Sequence, residues 1–259
     1  MRLDNKNSFS LKVMTYNVHS CINIFGQFDT GKIVDVIKNL DPDVVALQEV
    51  ESRKSRSNYI NQARYIARQL NMAYHFFPLV QVEDEKYGLA IMGKYPFFEV
   101  KYDRLSALQT KFPREIRGAM WVKIKTPAGY VNLVNTHFGL MKKERKLQIR
   151  DLLGRKWLKH VMAKEPVILC GDLNAGIFSP VYKKLAKNLS DAQVAVKQKG
   201  YPRPTFYSIS PFFRLDHIFV SAHLSPVGVV VPRYRIARIA SDHLPIFCEL
   251  RFNRSVIGA

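Results

Sequence analysis

EPVILCGDLN, residues 165–174, joins a short apolar run to two polar side chains, Asp172 and Asn174. A short apolar run bounded by Pro and Gly is typical of a buried β-strand. Upstream, YVNLVNTHFGL (130–140) is strand-like, and ERKLQIRDLLGRKWLKHVM (144–162) repeats apolar residues at helical spacing. The three segments together predict a strand–helix–strand unit whose last strand ends in potential ligands.

The same plan occurs near the start of the chain. FSLKVMTYNV (9–18) is strand-like, GKIVDVIKNL (31–40) has helical spacing, and DPDVVALQEV (41–50) predicts a buried strand. A further helix is predicted over residues 58–70. The chain therefore resembles two related halves.

Further strands are predicted by apolar runs that Pro or Gly often bounds. These are GLAIMG (88–93), FFEVKYDRL (97–105), GAMWVKIKT (118–126), LDHIFVS (215–221), VGVVV (227–231) and PIFCEL (245–250). The turn TPAGY (126–130) predicts a hairpin between the strands that flank it. Mixed strands with interspersed helices favour two packed sheets with helices outside, an α/β sandwich. Because no low-complexity linker interrupts residues 1–259, we expect one domain.

Composition indicates a globular protein with a polyanionic partner. Hydrophobic residues make up 47% of the chain, and 40 Lys and Arg against 21 Asp and Glu give a net charge of +19. Such a surplus favours nucleic acid or an anionic membrane surface. The three scattered cysteines lack zinc-site or disulfide spacing. We expect a cytoplasmic protein, because neither a signal-peptide run nor a membrane-spanning run is visible. We also expect a monomer.

Polar groups able to bind metal or phosphate follow the predicted strands. Strand ends are where ligand sites of open α/β sheets are usually built. The groups are Asn17, Glu49, His137, Asp172 and Asn174. We therefore expect these side chains to converge at one edge. Near the C-terminus, Asp216 in RLDHIFVS and Asp242 with His243 in SDHLPIF are further groups of the same kind.

Six short motifs carry a specific resemblance. TYNVH, LQEV, NTH, GDLN, LDHIFVS and SDHLP occur in this order between positions 15 and 245. In that order they resemble the endonuclease/exonuclease/phosphatase superfamily, which includes DNase I-like nucleases, sphingomyelinases and inositol polyphosphate 5-phosphatases. The resemblance implies a four-layer α/β sandwich with two mixed sheets, and hydrolysis of phosphate esters with Mg²⁺, for which Mn²⁺ is a possible substitute.

Roles for the metal-binding group follow from chemistry and from the resemblance. A hard cation held by carboxylates stabilises the charge that gathers on phosphoryl oxygens, so we expect Glu49 to be a metal ligand. By resemblance, Asn17 assists Glu49 directly or through water, and Asp242 contributes from the other side of the site.

The resemblance also implies the groups that act on water and phosphate. Asp172 is expected to activate the attacking water, and Asn174 to donate to the developing phosphorus centre. His243 is expected to bind or protonate a phosphate oxygen, with Asp216 holding its ring. His137 resembles a phosphate-contacting histidine of sphingomyelinase-like members. His19 stands where repair nucleases of the family carry Asp, a departure from a simple apurinic-site endonuclease.

Simpler interpretations remain open for several of these groups. Glu49 alone is compatible with a strand cap, and Asp172 with Asn174 is compatible with an Asx turn. Basic residues near the strand ends are candidates for substrate binding, or, on the helix, for a solvated face. These are Arg114, Arg117, Lys142, Lys143 and Arg145. The aromatics of residues 201–217 are suited to a base, to lipid, or to buried packing.

The leading hypothesis is a metal-dependent phosphodiesterase that uses water to attack a phosphate ester, with nucleic acid favoured as substrate. One alternative is a sphingomyelinase-like hydrolase of phospholipid or phosphoinositide. An alternative of another class is a non-catalytic basic module that binds nucleic acid.

Overall fold

A computed structural model describes residues 9–109 and 115–253, so Arg114 lies outside the described residues. The described part forms twelve strands: β1 Ser10–Asn17, β2 Val44–Ser52, β3 Ala73–Val82, β4 Glu85–Gly93, β5 Phe97–Arg104, β6 Gly118–Thr126, β7 Gly129–His137, β8 Val167–Asp172, β9 Ser190–Asp191, β10 Asp216–Val220, β11 Leu224–Val230 and β12 Ile246–Phe252. It also forms six α-helices: α1 Thr30–Leu40, α2 Gln62–Leu70, α3 Lys142–Leu152, α4 Pro180–Ala186, α5 Ala192–Ala195 and α6 Arg235–Ala240.

The strands form two mixed sheets of six strands each. One has the order β11-β12-β1-β2-β4-β3, and the other has the order β5-β6-β7-β8-β10-β9. Each sheet contains one parallel pair, β1 with β2 and β7 with β8, joined through α1 and α3 respectively. The two predicted strand–helix–strand units are therefore confirmed, and each provides the centre of one sheet.

Side chains of the second sheet alternate between two separate cores. In β8, Ile168 and Cys170 join the core shared with the first sheet, whereas Val167 and Leu169 face the helices α3 and α4. This period of two is what a strand buried on both faces requires. The first sheet is also covered on its other face, where Ile33 of α1 belongs to the same continuous cluster of buried side chains. The predicted four-layer sandwich is confirmed.

Polar caps set the ends of the first two helices. The Asp29 side chain accepts a hydrogen bond from the Lys32 amide at the start of α1, and Asn61 does the same for Arg64 in α2. These bonds satisfy amides that a helix leaves unpaired. The helix predicted over 58–70 begins only at Gln62. Asn58 and Tyr59 adopt left-handed backbone angles and cannot continue a right-handed helix.

Two further elements differ from the sequence prediction. The helix predicted to run to residue 162 ends at Leu152, and turns follow in which Trp157 and Leu158 remain buried. Their spacing reflects burial and not a continuing helix. Strand β3 was missed because Pro78 interrupts it. It lies at a sheet edge with a register shift beside Pro78, where proline is tolerated.

The hairpin predicted around TPAGY is confirmed by the pairing of β6 with β7 through Thr126 and Gly129. In the described part of the chain, no helix combines the length and apolarity needed to cross a bilayer.

Candidate active site

The polar groups predicted at the strand ends converge. Pairing of β7 with β8 puts His137 opposite Asp172, and pairing of β8 with β10 puts Asp216 opposite the same Asp172. Asn17 reaches this group from the end of β1 in the other sheet. The site therefore lies where the two sheets meet at one edge.

Asn17 connects the two sheets through one amide group. Its Nδ2 donates to Glu49 Oε1 at 2.9 Å and to Asp172 Oδ2 at 3.0 Å. Its Oδ1 accepts from the His19 amide at 3.1 Å. Because Oδ1 is already engaged and Nδ2 faces the carboxylates, this geometry suits Asn17 to position the carboxylates.

Glu49 enters the site through a β-bulge. Leu47 pairs with Ala90 and Val50 with Gly88, so two residues of β2 stand opposite one of β4. Glu49 has a left-handed φ of 58°, a conformation that costs energy outside glycine and is often kept at functional sites. The bulge redirects the side chain, as bulges beside active sites commonly do.

The GDLN motif forms a tight turn at the end of β8. Asp172 Oδ1 accepts from the Asn174 amide at 2.8 Å, and Asn174 has a φ of 46°. Asp172 is thus an Asx-turn residue that also lies within the converging group of polar side chains. A Cβ atom at Gly171, where φ is 136°, would lie 1.9 Å from the Thr136 carbonyl oxygen. Only glycine fits here.

His137 is buried beside a guanidinium. Arg117 Nη1 lies 2.7 Å from its Nδ1, and Asp172 Oδ2 lies 3.4 Å from its Nε2. Burial lowers the pKa of His137 well below its usual value, and the positive charges of Arg117 and His243 lower it further. Because a guanidinium only donates hydrogen bonds, we assign a neutral ring that accepts from Arg117.

His243 is held on the opposite side of Asp172. Its Nδ1 lies 2.8 Å from Asp216 Oδ2, and its Nε2 lies 3.7 Å from Asp172 Oδ2. Thr205 Oγ1 donates to the same Asp216 oxygen at 2.6 Å. Burial by itself lowers the pKa of His243, but the charges of Asp216 and Asp172 outweigh burial and raise it to about 10. The imidazole is therefore cationic.

Asp242 lies at the margin of this group. Ser241 Oγ is 2.8 Å from the Asn17 carbonyl oxygen and 3.4 Å from Asp242 Oδ1. His19 Nδ1 lies 3.8 Å from Asp242 Oδ1 and 3.1 Å from the Ile22 carbonyl oxygen. His19 therefore borders the site beside Asp242.

The site holds an excess of buried negative charge. Burial and the neighbouring Asp216 raise the pKa of Asp172 to about 7. Burial also raises the pKa of Glu49, and Asp242 adds to that effect. Potential ligand atoms of Asp172, Asp216 and His243 lie within 4.8 Å of one another.

These donors fit a hard divalent cation. Carboxylate oxygens are the ligands that Mg²⁺ and Mn²⁺ prefer, and a cation would relieve the repulsion that raises the carboxyl pKa values. Asp216 already serves His243 and Thr205, whereas the side chain of Glu49 is 22% exposed on an open cleft. A cation is therefore better accommodated beside Glu49 than at Asp216.

The predicted substrate-binding residues separate into two groups. Lys142 and Lys143 are exposed on the first turn of α3. Arg145 is buried, and its Nη1 donates to the carbonyl oxygens of Gly139 and Leu140 at 3.1 and 2.6 Å. Arg145 thus anchors the loop after His137. Arg117 is also buried, between His137 and Glu115.

Sequence reasoning missed several groups that position the site. Asn135 Nδ2 donates to the Leu47 and Ala90 carbonyl oxygens, and Gln48 Nε2 donates to Asn135 Oδ1 at 2.7 Å. This buried network joins β7 to the strands beside Glu49. The only local signal was the place of Asn135 inside the NTH motif. Nothing in the sequence pairs Thr205 with Asp216.

Two packed sheets with this acidic and histidine group at their edge are suited to hydrolysis of phosphate esters. A family model described as the Endonuclease/Exonuclease/phosphatase family matches residues 14–243. The chain therefore belongs to that family, as its motifs predicted.

Three proteins illustrate what this chain is similar to in sequence or in fold. The uncharacterized protein YbhP of Escherichia coli K12 is 24% identical over 266 residues, which cover 95% of this chain and 98% of YbhP. The mannosyl-6-phosphatase Bt3783 of Bacteroides thetaiotaomicron has a TM-score of 0.74 at 21% identity, covering 93% of this chain and 100% of that chain. The structure of ANGEL2, described as a 2′,3′-cyclic phosphatase in complex with adenosine-2′,3′-vanadate, has a TM-score of 0.73 at 17% identity, covering 95% and 97%. At these identities the structural matches confirm the fold alone.

Proposed function

We propose that this protein is a Mg²⁺-dependent phosphodiesterase that uses water to cleave phosphate esters in nucleic acid. The observation that carries the proposal is the bridge from Asn17 to the carboxylates of Glu49 and Asp172, with His243 Nε2 3.7 Å from the same Asp172 oxygen. An acidic pair facing a cationic imidazole can bind a cation and a phosphate side by side.

Glu49 is proposed to hold the cation, with Asp242 contributing from the margin and Asn17 keeping Glu49 in place. A bound divalent cation supplies positive charge that stabilises the phosphoryl oxygens. The exposed fraction of Glu49 and its place on the wall of the cleft support this assignment.

Asp172 and His243 are proposed to divide the proton transfers. Asp172 accepts a proton as water forms its bond to phosphorus, and His243 Nε2 donates its proton to the bridging phosphate oxygen as the ester P–O bond breaks. That oxygen leaves as an alcohol, so the proton lost by water and the proton gained by the leaving group are both accounted for. Asn174 and neutral His137 lie on the other side of Asp172, where they can contact the phosphoryl oxygens. Asp216 holds the His243 ring through Nδ1.

Nucleic acid is favoured by charge and by one similar protein. The net charge of +19 suits an extended polyanion. ANGEL2, similar in fold, is described with a nucleoside vanadate bound. Bt3783 is named for a phosphate monoester, which keeps monoesterase activity as an outcome of the test.

Phospholipid is a second candidate because of one surface feature. Phe212 and Phe213 are 82% and 57% exposed in the loop before Asp216. The same loop reaches the site through Phe206, whose ring centroid lies 4.8 Å from that of His243. Exposed aromatic rings beside an active site suit either lipid or an unstacked base.

Hydrolysis of a substrate panel tests the proposal. DNA, RNA, sphingomyelin, phosphoinositides, bis(p-nitrophenyl) phosphate and p-nitrophenyl phosphate are each incubated with Mg²⁺ or Mn²⁺. We expect metal-dependent cleavage of nucleic acid and of the diester, with EDTA abolishing both. Asp172→Asn protein purified in parallel controls for contaminating nucleases. Cleavage of lipid or monoesters alone, or equal cleavage by the control protein, would overturn the proposal.

A further inference from the structure

A cleft of about 370 Å³ opens beside Glu49. Its walls include Glu49 itself, Lys54, Arg56 and Tyr87. We call it the Lys54 cleft. None of these residues except Glu49 has a place in the proposed hydrolytic steps. Glu49 on its wall makes the cleft continuous with the proposed cation position.

Two positively charged side chains of the Lys54 cleft, Lys54 and Arg56, share one buried carboxylate, that of Glu51. The Glu51 side chain is fully buried, and Arg56 Nε donates to its Oε1 at 3.0 Å. Lys54 Nζ lies 3.5 Å from the same oxygen, a longer contact. Glu51 neutralises only one of the two positive charges. One positive charge of this Lys–Arg pair is thus left without a carboxylate of its own.

Neighbouring side chains hold both Lys54 and Arg56 in position. Arg56 Nη2 donates to Ser20 Oγ at 3.2 Å, and Lys54 Nζ lies 5.6 Å from the centroid of the Tyr87 ring. Arg56 Nη1 has no hydrogen-bond partner within residues 9–109 and 115–253. A guanidinium held at one edge with a free nitrogen at the other is suited to a second anion.

The other acidic side chain on this wall is also accounted for. Glu115 Oε1 accepts from Arg117 Nη1 at 2.6 Å, so its charge is paired. Glu49 is assigned to the cation in the proposed function. An anionic ligand entering the Lys54 cleft therefore meets Lys54 and the free edge of Arg56.

We propose that the Lys54 cleft binds a second phosphate of the substrate, so that preferred substrates carry one phosphate beyond the one that is hydrolysed. This inference rests on the proposed function for the position of the hydrolysed phosphate. The second phosphate has two possible sources, the next phosphate of a nucleic acid strand or a phosphate on a sugar headgroup. Lys54 and Arg56 are specificity-determining residues in either case.

Matched substrate pairs test the inference. One pair is thymidine 5′-(p-nitrophenyl phosphate) with and without a 3′-phosphate, and the other is glycerophosphoinositol with and without a 4-phosphate. We expect kcat/KM to be about tenfold higher for the doubly phosphorylated member of one pair, the scale of one charge-assisted contact. The pair that shows the preference identifies the source.

Variants assign the preference to the cleft. Lys54→Gln is expected to reduce the preference to about twofold while leaving kcat/KM for the singly phosphorylated substrate unchanged. Arg53→Gln is the matched control, because Arg53 has the same charge but pairs with exposed Asp84. Arg56→Lys keeps a partner for buried Glu51 and is expected to halve the preference or more. Equal preference in all four proteins, or none in the wild type, overturns the inference.

A binding measurement separates this inference from the proposed function. Titration calorimetry in Mg²⁺ compares thymidine 3′,5′-bisphosphate with thymidine 5′-monophosphate on wild-type and Lys54→Gln protein. We expect the wild type to bind the bisphosphate more tightly than the monophosphate, and Lys54→Gln protein to bind the two ligands equally. If all substrates resist hydrolysis while this difference holds, the proposed function fails and the second anion site stands. If hydrolysis occurs and the difference is absent, the anion site fails alone.

Discussion

His243 Nδ1 lies 2.8 Å from Asp216 Oδ2, and both side chains are buried. This contact points the other ring nitrogen toward Asp172, 3.7 Å away. The pairing fixes ring orientation and charge together, because a carboxylate favours the charged imidazole. His137, on the other side of Asp172, has a charged partner of its own in Arg117.

Asp216→Asn is expected to lower kcat by about 10²-fold, because the change removes the carboxylate charge that keeps the His243 ring cationic and oriented. Steady-state kinetics on bis(p-nitrophenyl) phosphate measure the loss, and circular dichroism checks that the fold persists. Nitrogen NMR of the His243 ring should show a changed protonation state. Thr205→Val, which removes a hydrogen bond to the same oxygen without removing charge, is the milder control. An unchanged ring signal would contradict the positioning role.

Glu49→Gln is expected to weaken Mg²⁺ binding and remove most activity, because the change deletes a charge that a hard cation requires. Titration calorimetry with Mg²⁺ measures the affinity. Glu85→Gln serves as the control, because Glu85 is a half-buried acid of β4 that does not line the cleft beside Glu49. Unchanged Mg²⁺ affinity in Glu49→Gln would exclude Glu49 as a ligand.

The double variant Lys142→Gln with Lys143→Gln is expected to weaken the salt dependence of nucleic acid binding. The slope of log K against log salt concentration should become shallower by about 2, since each phosphate contact releases about one counterion. Fluorescence anisotropy at several salt concentrations measures the slope. On anionic vesicles, the same double variant tests the lipid alternative. If neither assay changes, the two lysines form only a solvated helix face. Arg145 is left intact because it holds the loop after His137.

Asp191→Asn is expected to lower the free energy of unfolding by about 3 kcal/mol at pH 7, because it leaves buried Arg214 without its charge partner. Burial alone raises the pKa of Asp191, but His217 and Arg214 outweigh burial and hold it well below its usual value. The folded state thus favours ionised Asp191, and its contribution is present above about pH 4 and lost as pH falls below that. Denaturant unfolding at several pH values measures the difference, which should narrow in acid. A pH-independent difference would contradict the assignment.

Gly171→Ala is expected to lower the free energy of unfolding by at least about 1–3 kcal/mol, the range typical of backbone strain at one residue. The cause is the clash of a new Cβ with the Thr136 carbonyl oxygen. Thermal and denaturant unfolding measure the effect. Gly176→Ala is the control, because no atom lies within 4 Å of a Cβ built there. Equal stability of the two variants would show that β7 and β8 can separate without cost.

Local sequence determined the strand–helix–strand units and the polar groups at the strand ends. Apolar periodicity depends on the few residues around each position, so Val167–Asp172 and Thr30–Leu40 were predictable. The order of the motifs indicated the family before any contact was known. Strand β3 escaped prediction because its tolerance of Pro78 depends on an edge position, which the local pattern does not contain.

Only the tertiary structure decided how those groups interact. Asn17 meets Asp172 across 155 positions of chain, and the bulge that turns Glu49 into the site depends on how β2 pairs with β4. Arg145 belongs to a basic run typical of a solvated helix face, yet it is buried against two carbonyl oxygens. Likewise, only the structure shows that Lys54 and Arg56 share the single buried carboxylate of Glu51, which leaves one of their two positive charges unpaired by it. Burial, charge pairing and backbone register are properties of neighbours in space, and a sequence specifies those neighbours only through the whole fold.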